Sequence, residues 1–273
     1  MATHGSAFPI AKLALNNNVP PILMASLRMG MVMLLLIPFW KFKIPEKKYL
    51  KSLFIFSISM GVMVYVFMNL SLKHSTFISP IIIGAQLAVP LAVLFSAKMI
   101  GENISLRKWI LVILAFAGII IVFFDPELKN NLLGLFFASL MALFFAVAQV
   151  YSRQLKELSL TMLNAYTGFF GFFVLIVVSF FIEGEVFINI QNINFESWIL
   201  IVYQATIVSL FAHMSMFYLY KFYTVGQIFP FYSLFPIFGI ILSFLIFGEI
   251  PSFLFFIGSL IVISSVILLQ KTK

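Results

Sequence analysis

Two basic residues lie inside apolar sequence, where a charge is costly. Lys12 follows the stretch HGSAFPIA, and Arg28 ends the stretch VPPILMASLR. A charged side chain inside a bilayer costs roughly 2.5–3.5 kcal/mol or more, so such groups face the protein interior or water. Both residues could bind the carboxylate or phosphate of an anionic or zwitterionic substrate. The alternatives are that Lys12 snorkels to the interface and that Arg28 braces helix ends.

Neutral polar residues and one histidine also fall inside long apolar stretches. Prolines free backbone carbonyls, which are tolerated only where they face protein or a wet cavity, and Gln86 and Tyr232 each lie between two prolines. Such side chains are candidates to line a substrate path near the bilayer midplane; the alternative is hydrogen bonding between helices. His213 could relay protons or be a packed group. Besides the two bases, the substrate-path candidates are Asn69, Gln86, Gln149, Tyr203, Gln204, His213, Tyr232 and Ser233.

The chain carries no residue pattern typical of an enzyme. Its three histidines are scattered at positions 4, 74 and 213, and it has no cysteine. All nine acidic residues fall in predicted loops or at helix ends, so a clustered catalytic set, a metal site and a mid-span carboxylate for proton or sodium coupling all lack candidates. The sequence therefore predicts a protein that is not an enzyme and binds no metal. Coupling through His213, exchange, or coupling through the substrate itself stays open.

Composition places these residues in a membrane protein. Of the 273 residues, 63% are hydrophobic and 10% are charged, against about 45–50% and about 25% in soluble domains. A spanning helix needs roughly 17–25 apolar residues. Nine such stretches are predicted, at about 21–40, 50–72, 77–98, 109–124, 132–150, 160–182, 198–222, 225–247 and 252–269. The opening residues make a tenth span of half length. Either this helix is short and starts below the membrane surface, or the true start codon lies upstream, which is the alternative that we expect.

The distribution of basic residues predicts the topology of these ten spans. If the first span starts in the cytoplasm, the cytoplasmic segments hold 13 bases, and the outer segments hold only Lys73 and Lys129. This asymmetry follows the positive-inside rule, so both termini are expected in the cytoplasm and the chain in a plasma membrane. The net charge of +8 is thereby explained by topology, and no nucleic-acid partner is expected.

An internal repeat divides the chain into two halves. The sequence GENIS, with Gly101 and Glu102, returns as GEIPS, with Gly248 and Glu249. Each corner follows one apolar span and opens another, so residues 1–126 and 127–273 are predicted to be two five-helix repeats of inverted topology, an architecture common in secondary transporters. The two glutamates are expected to serve as structural corners, each beside the positive end of the helix that it precedes, with Ser105 and Ser252 as N-caps.

The same residues resemble a known family. The stretch from His4 to Lys12 is similar to the Trp-Gly-x-x-Phe…Lys pattern of the first helix of EamA-type exporters, in the drug/metabolite transporter superfamily, with His in place of Trp. Pro20, Pro21 and Arg28 are similar to the Pro-Pro…Arg run of the family's second helix. The resemblance covers the whole chain. It implies a bacterial exporter of amino acids or related small metabolites, with no metal or organic cofactor.

Two alternatives accompany this interpretation. A receptor or scaffold that keeps a transporter-like fold would give the same sequence pattern without transport. Small residues at every fourth position of the sixth span, namely Gly134, Ala138, Ala142 and Ala146, allow close helix approach. We expect this stripe to pack inside the protein, and the alternative is a homodimer interface.

Overall fold

The computed structural model describes residues 2–40, 44–100, 104–212, 215 and 235–271. The described chain is helical. A short 3-10 helix (Pro126–Asn131) and a short α-helix (Val186–Gln191) lie in two of the connections, and the other described helices fall into ten groups along the sequence. Three of them are built from consecutive segments: α1 (Ala2–Gly5, then Ala7–Asn16), α3 (Lys47–Ile58, Ser59–Met63 and Val64–Lys73) and α4 (Ser79–Gly84, Ala85–Leu87 and Ala88–Ile100). The others are α2 (Pro21–Trp40), α5 (Leu106–Phe123), α6 (Leu132–Gln154), α7 (Leu160–Ile182), α8 (Phe195–Tyr203, then Gln204–Ala212), α9 (Phe235–Phe247) and α10 (Phe253–Lys271).

Eight of these helices are long and apolar enough to cross a membrane. The two shorter ones are α1 and the described part of α9. A helix of 20 residues such as α2 is about 30 Å long, which matches the hydrocarbon core of a bilayer. The fold predicted from the sequence, an all-helical protein of ten membrane helices in two repeats, is therefore confirmed.

The helices pack in pairs that recur with an offset of five. Helix α2 packs against α7, and α5 packs against α10. Helix α6 packs against α3 and α4, while α1 packs against α8 and α9. We call α3, α4 and α6 the first bundle, and α1, α8 and α9 the second bundle. Since each contact of one bundle has its counterpart five helices further along the chain, the two repeats are arranged about a pseudo-two-fold axis.

The two repeats also run in opposite directions through the membrane. Lys12, late in α1, reaches the end of α3. Asn131, which directly precedes α6, binds the corner that follows α3. Helix α1 therefore ends on the face where α6 begins, as an odd number of helices per repeat requires.

Small residues set the closest approaches between helices. A Cβ added to Gly118 of α5 would lie 2.8 Å from the Gly258 carbonyl oxygen of α10, and one added to Gly258 would lie 2.7 Å from that of Gly118. The stripe on α6 acts in the same way: Gly134 contacts Ser75, and Ala138 contacts Gly84. The stripe packs inside the protein, as expected, so it is not available as a dimer interface.

Two helices contain π-helical segments, and they are equivalent helices of the two repeats. Residues Ser59–Met63 of α3 and Gln204–Ala212 of α8 are π-helical. A π segment holds an additional residue per turn, so it changes which side chains the following turns present, and such segments are frequent at functional sites. The sequence predicted both spans as uninterrupted helices and gave no sign of these segments.

Two faces can be defined from the connections between helices. The Glu249 face contains residues 17–20, 74–78, 124–131, 183–194 and 248–252. The Glu157 face contains residues 44–46, 104–105 and 155–159. Polar contacts tie neighbouring helices on both faces: Glu183 accepts hydrogen bonds from the backbone N–H groups of Ile22 and Leu23 on the first, both at 2.8 Å, and Ser52 donates to Gln154 on the second.

Candidate functional site

Arg28 is the central charged residue of the described structure. It lies in α2 about two turns from the start of the helix, and only 2% of its surface is exposed. Its Nε donates a hydrogen bond of 2.9 Å to the Ser209 hydroxyl of α8. Its guanidinium carbon lies 4.3 Å from the ring centroid of Tyr65 in α3. One side chain of α2 thus joins the two bundles.

The guanidinium of Arg28 is incompletely satisfied. Its Nη1 is buried and has no hydrogen-bond partner within the described part of the chain. Within the same residues, the one ion pair joins Lys48 and Glu46, far from this site. Because an unpaired buried cation costs several kcal/mol, Arg28 has spare capacity for an anion, which it could hold by charge-assisted hydrogen bonds.

The π segments position both partners of Arg28. Ser209 lies within the π segment of α8, and Tyr65 is the second residue after the π segment of α3. The ring of Tyr65 covers the guanidinium through a cation–π contact, and Ser209 fixes the direction of Nε. Together they hold the guanidinium plane in one orientation, in which the buried Nη1 has no hydrogen-bond partner among the described residues.

A cavity of about 690 Å³, counting the space that is open to solvent, lies beside the two contacts of Arg28, although Arg28 itself is not part of its lining. Tyr65 and Ser209 belong to its lining. Its other lining residues are Met29, Val32, Phe56, Met60, Phe145, Ala148, Gln149, Ser152, Leu163, Asn164 and Thr167. The lining is therefore largely apolar, with a few amide and hydroxyl groups, as is typical of small-molecule sites.

The cavity extends toward the Glu157 face. Phe56 lies in the first segment of α3, Ser152 is near the end of α6 and Asn164 is near the start of α7, and all three of these helix ends belong to that face. On the other side of Arg28, the Glu249 face is closed by packed helices, with Leu23, Ile82 and Ala14 fully buried.

Lys12 does not reach this cavity. Its ammonium donates two hydrogen bonds of 2.7 Å, to the carbonyl oxygens of Leu72 and Ser75. These are carbonyls at the C-terminal end of α3 and in the residues just after it, where a cation is favourable. The structure thus separates Lys12 from Arg28, although the sequence placed both on the substrate path.

The neutral candidates have different surroundings. Gln149 lines the cavity, whereas Asn69 donates to the Pro21 carbonyl oxygen at 2.9 Å. Tyr203 shares a hydrogen bond of 2.8 Å with Ser6, so it joins α8 to α1.

Gln204 donates to the Ala7 carbonyl oxygen at 2.6 Å, and its own amide oxygen has no hydrogen-bond partner among the described residues. Gln86 lies in the 3-10 segment of α4, is 3% exposed, and its amide nitrogen has no partner within the same residues. Neither side chain belongs to the lining of the cavity, so Gln149 alone lines it among the neutral candidates that the structure describes.

Five predicted residues lie outside the described part of the chain. They are the path candidates His213, Tyr232 and Ser233 and the corner residues Gly101 and Glu102.

The second corner is described, and Glu249 acts on a different helix from the one expected. Gly248 has a φ of +67°, a backbone conformation that glycine adopts easily. The Glu249 carboxylate accepts from the backbone N–H groups of Ile78 and Ser79 at 2.6 and 3.0 Å, and from the Ser79 hydroxyl at 2.7 Å. It therefore caps α4, about 170 residues earlier in the chain, rather than α10, whose N-cap is Ser252 as predicted.

Five polar residues that line the cavity were not predicted from the sequence: Tyr65, Ser152, Asn164, Thr167 and Ser209. A tyrosine inside a predicted span was a signal that could have been followed, since its hydroxyl needs a partner in the membrane. Ser209 and Asn164 carried no such signal, because serine and asparagine inside a span are as often bonded to their own helix.

Ten membrane helices in two inverted repeats, with a cavity lined by the two contacts of a buried arginine, define a membrane protein of the transporter class. The model of the EamA-like transporter family matches residues 1–124 and 132–270. The chain therefore belongs to the EamA-like transporter family, within the drug/metabolite transporter superfamily, and is a transporter that crosses the membrane several times.

Solved structures show the same fold. One of them, described only as the crystal structure of a protein, is 16% identical in sequence with a TM-score of 0.63, over 97% of this chain and 93% of the other. The comparison with curated proteins found no match.

Proposed function

We propose that this transporter exports amino acids or related small metabolites that carry an acidic group, by alternating access between its two repeats. The observation that carries the proposal is the buried Nη1 of Arg28, which has no hydrogen-bond partner among the described residues, while Tyr65 and Ser209, the two contacts of Arg28, line the cavity. An acidic substrate group would supply the partner that this buried cation lacks. The resemblance to amino-acid and metabolite exporters supports the same substrate class.

The cavity lining supports a substrate with a polar head and an apolar body. A carboxylate on Nη1 would leave the body against Met29, Met60 and Phe145. The amide oxygen of Gln149 and the hydroxyl of Thr167 can accept hydrogen bonds from an ammonium group. This distribution suits an amino acid with an apolar side chain better than a strongly hydrated dianion.

The direction of transport is proposed from the topology. The positive-inside asymmetry makes the Glu157 face cytoplasmic, with both termini on that side, in a bacterial inner membrane. A cavity that opens there would be loaded from the cytoplasm, and release on the other side would follow when the Glu249 face opens. A homodimer remains a separate prediction, since the small-residue stripe that suggested it is buried within the chain.

The first experiment identifies the substrate. Metabolite pools are compared between cells that lack and cells that overproduce the protein, and the metabolites that change are tested for counterflow in proteoliposomes. We expect amino acids or related acids to be depleted in the overproducing cells and to show saturable flux.

The second experiment tests the site with Arg28→Ala, at matched expression. Flux should fall to background, while Arg107→Ala, which removes an exposed arginine at the start of α5, should keep it. Full flux in Arg28→Ala would remove the proposed site. An absence of flux for every candidate acid in the intact protein would instead favour the receptor or scaffold alternative.

A further inference from the structure

The corner between α3 and α4, residues 74–78, is held by charged groups of two other helices. Lys12 of α1 donates to the carbonyl oxygens of Leu72 and Ser75. Glu249, which follows α9, accepts from the N–H groups of Ile78 and Ser79. We call these two sets of hydrogen bonds the corner clamp.

The two charges match the two helix ends on which they act. The carbonyl end of a helix carries partial negative charge and the amide end partial positive charge. Lys12 places a cation at the end of α3, and Glu249 places an anion at the start of α4. At the corner, the C-terminal end of α3 therefore meets a cation and the N-terminal end of α4 meets an anion. These charge-assisted hydrogen bonds make the clamp specific as well as strong.

The clamp crosses between the two bundles. The corner belongs to the first bundle, whereas Lys12 lies in α1 of the second bundle and Glu249 follows directly after α9 of that bundle. The remaining polar contact of the corner is different: Asn131 accepts from the N–H of Thr76 and donates to the Phe77 carbonyl oxygen. Because Asn131 directly precedes α6, that contact lies within the first bundle and can persist when the bundles move apart.

The apolar packing next to the clamp also lies between the first and the second bundle. Ile82 of α4 is fully buried and meets Gly239 of α9, where an added Cβ would lie 2.8 Å from the Ile82 Cδ1. This contact is one turn from Ser79, on the same side of the helix pair. Opening of the Glu249 face requires that α4 and α9 separate here, so the clamp must release first.

On the basis of the transport function proposed above, we propose that Lys12 and Glu249 close the Glu249 face of the substrate path and release the corner together when that face opens. The two side chains stay on the second bundle and carry opposite charges, so after release they can pair with each other. That exchange of partners leaves no isolated charge in the membrane at either stage of the cycle, which is the condition for a low barrier between the two states. Lys12 is then a residue of the gate rather than of the substrate site.

Thiol accessibility tests the proposal without knowledge of the substrate. The chain contains no cysteine, so a single introduced cysteine is the one thiol present. Ile82→Cys reports on opening at the Glu249 face, and Ser152→Cys, in the cavity lining, reports on opening at the Glu157 face. The rate of labelling by a water-soluble maleimide is measured in lipid nanodiscs, where both faces are accessible.

We expect Glu249→Gln and Lys12→Met each to raise the labelling rate of Ile82→Cys at least about fivefold, since they shift the population toward a minor state, and to lower the rate of Ser152→Cys. The controls Glu127→Gln and Lys129→Met remove the same charges from exposed side chains of the same face and should change neither rate. A variant that has lost its fold would raise both rates, so the opposite changes identify a shift between states. Unchanged rates in both clamp variants would overturn the proposal.

Exchanging the two charges distinguishes the proposed clamp from a simple ion pair between Lys12 and Glu249. Lys12→Glu combined with Glu249→Lys keeps two opposite charges but places each at a helix end of the wrong sign. We expect this double variant to label Ile82→Cys as fast as the single variants do; a return to the slow labelling of the parent would contradict the match between charge and helix end. If the labelling results hold while Arg28→Ala still transports, the proposed substrate site fails and the clamp stands.

Discussion

The guanidinium of Arg28 lies 4.3 Å from the ring centroid of Tyr65, across the boundary between α2 and α3. With the Ser209 hydroxyl on its Nε, it is held from both bundles, and yet one of its nitrogens has no hydrogen-bond partner in the described structure. A residue selected only for stability would be expected to satisfy all of its donors, because an unpaired buried donor costs about 1–3 kcal/mol. The arrangement is that of a binding group prepared in advance for an anion.

The first prediction separates binding from stability at Arg28. Arg28→Met keeps the apolar volume and removes the charge, so the melting temperature should stay equal or rise, because replacement of a buried charge by an apolar group is often neutral or stabilising. Substrate affinity should fall by about ten- to a hundredfold, the equivalent of a charge-assisted hydrogen bond of about 1.5–3 kcal/mol. Thermal unfolding of the purified protein and counterflow measure the two effects. A large drop in melting temperature would show that Arg28 braces the helices instead.

The second prediction concerns the ring of Tyr65, which lies over the guanidinium of Arg28. Tyr65→Phe keeps the ring, so its KM should stay close to that of the parent. Tyr65→Leu removes a cation–π contact worth about 0.5–2 kcal/mol, so its KM should rise by about two- to thirtyfold. Saturation kinetics in proteoliposomes measure both variants. Equal KM values for the two variants would mean that the ring only fills space.

Much of the fold could be predicted from the sequence, because hydrophobicity alone defines membrane helices. The predicted spans at 21–40 and 160–182 coincide with α2 and α7, and the other described spans differ from the predicted ones at their ends. The π segments of α3 and α8 could not be predicted, since they depend on the packing of the surrounding helices rather than on local composition.

The site was predictable only in part, for a related reason. Arg28 is conspicuous in the sequence because a charge within a membrane span needs a partner, and the sequence therefore predicts it as a site residue. Its partners Tyr65 and Ser209 come from helices that meet only in the folded protein. Glu249 likewise acts on Ser79, 170 residues away in the chain, and a repeated Gly-Glu corner says nothing about which helix end its carboxylate reaches.

The third prediction concerns the contact between α5 and α10. A side chain at position 118 would meet the Gly258 carbonyl oxygen and the Val262 side chain, each 2.8 Å from an added Cβ. Gly118→Leu should therefore force the two helices apart and lower the free energy of unfolding by about 1–3 kcal/mol or more. Ala117→Leu places the same side chain at a partly exposed neighbouring position and should change the free energy of unfolding little. Thermal or denaturant unfolding in detergent compares the two variants, and an equal effect of both would indicate that helix propensity, not close packing, decides.

The fourth prediction concerns Glu157, in the connection between α6 and α7. The Tyr49 hydroxyl at the start of α3 donates a hydrogen bond to its carboxylate. This bond first, and the Lys48 charge second, lower the pKa of Glu157 below its ordinary value of 4.5. Because the folded pKa is the lower one, the contact favours the folded arrangement above about pH 4.5 and is lost as the pH falls through the lowered value.

Tyr49→Phe removes the hydrogen bond and leaves the lysine, so the pKa of Glu157 should rise toward 4.5 without passing it. The chemical shift of the Glu157 carboxyl carbon, followed from pH 7 to pH 2.5 in nanodiscs with 13C-labelled glutamate, measures the change. Tyr151→Phe removes a hydroxyl from the nearby end of α6 and should leave the titration of Glu157 as it is in the parent. A pKa that is the same in Tyr49→Phe and in the parent would show that the lysine charge, rather than the tyrosine hydroxyl, sets the acidity of Glu157.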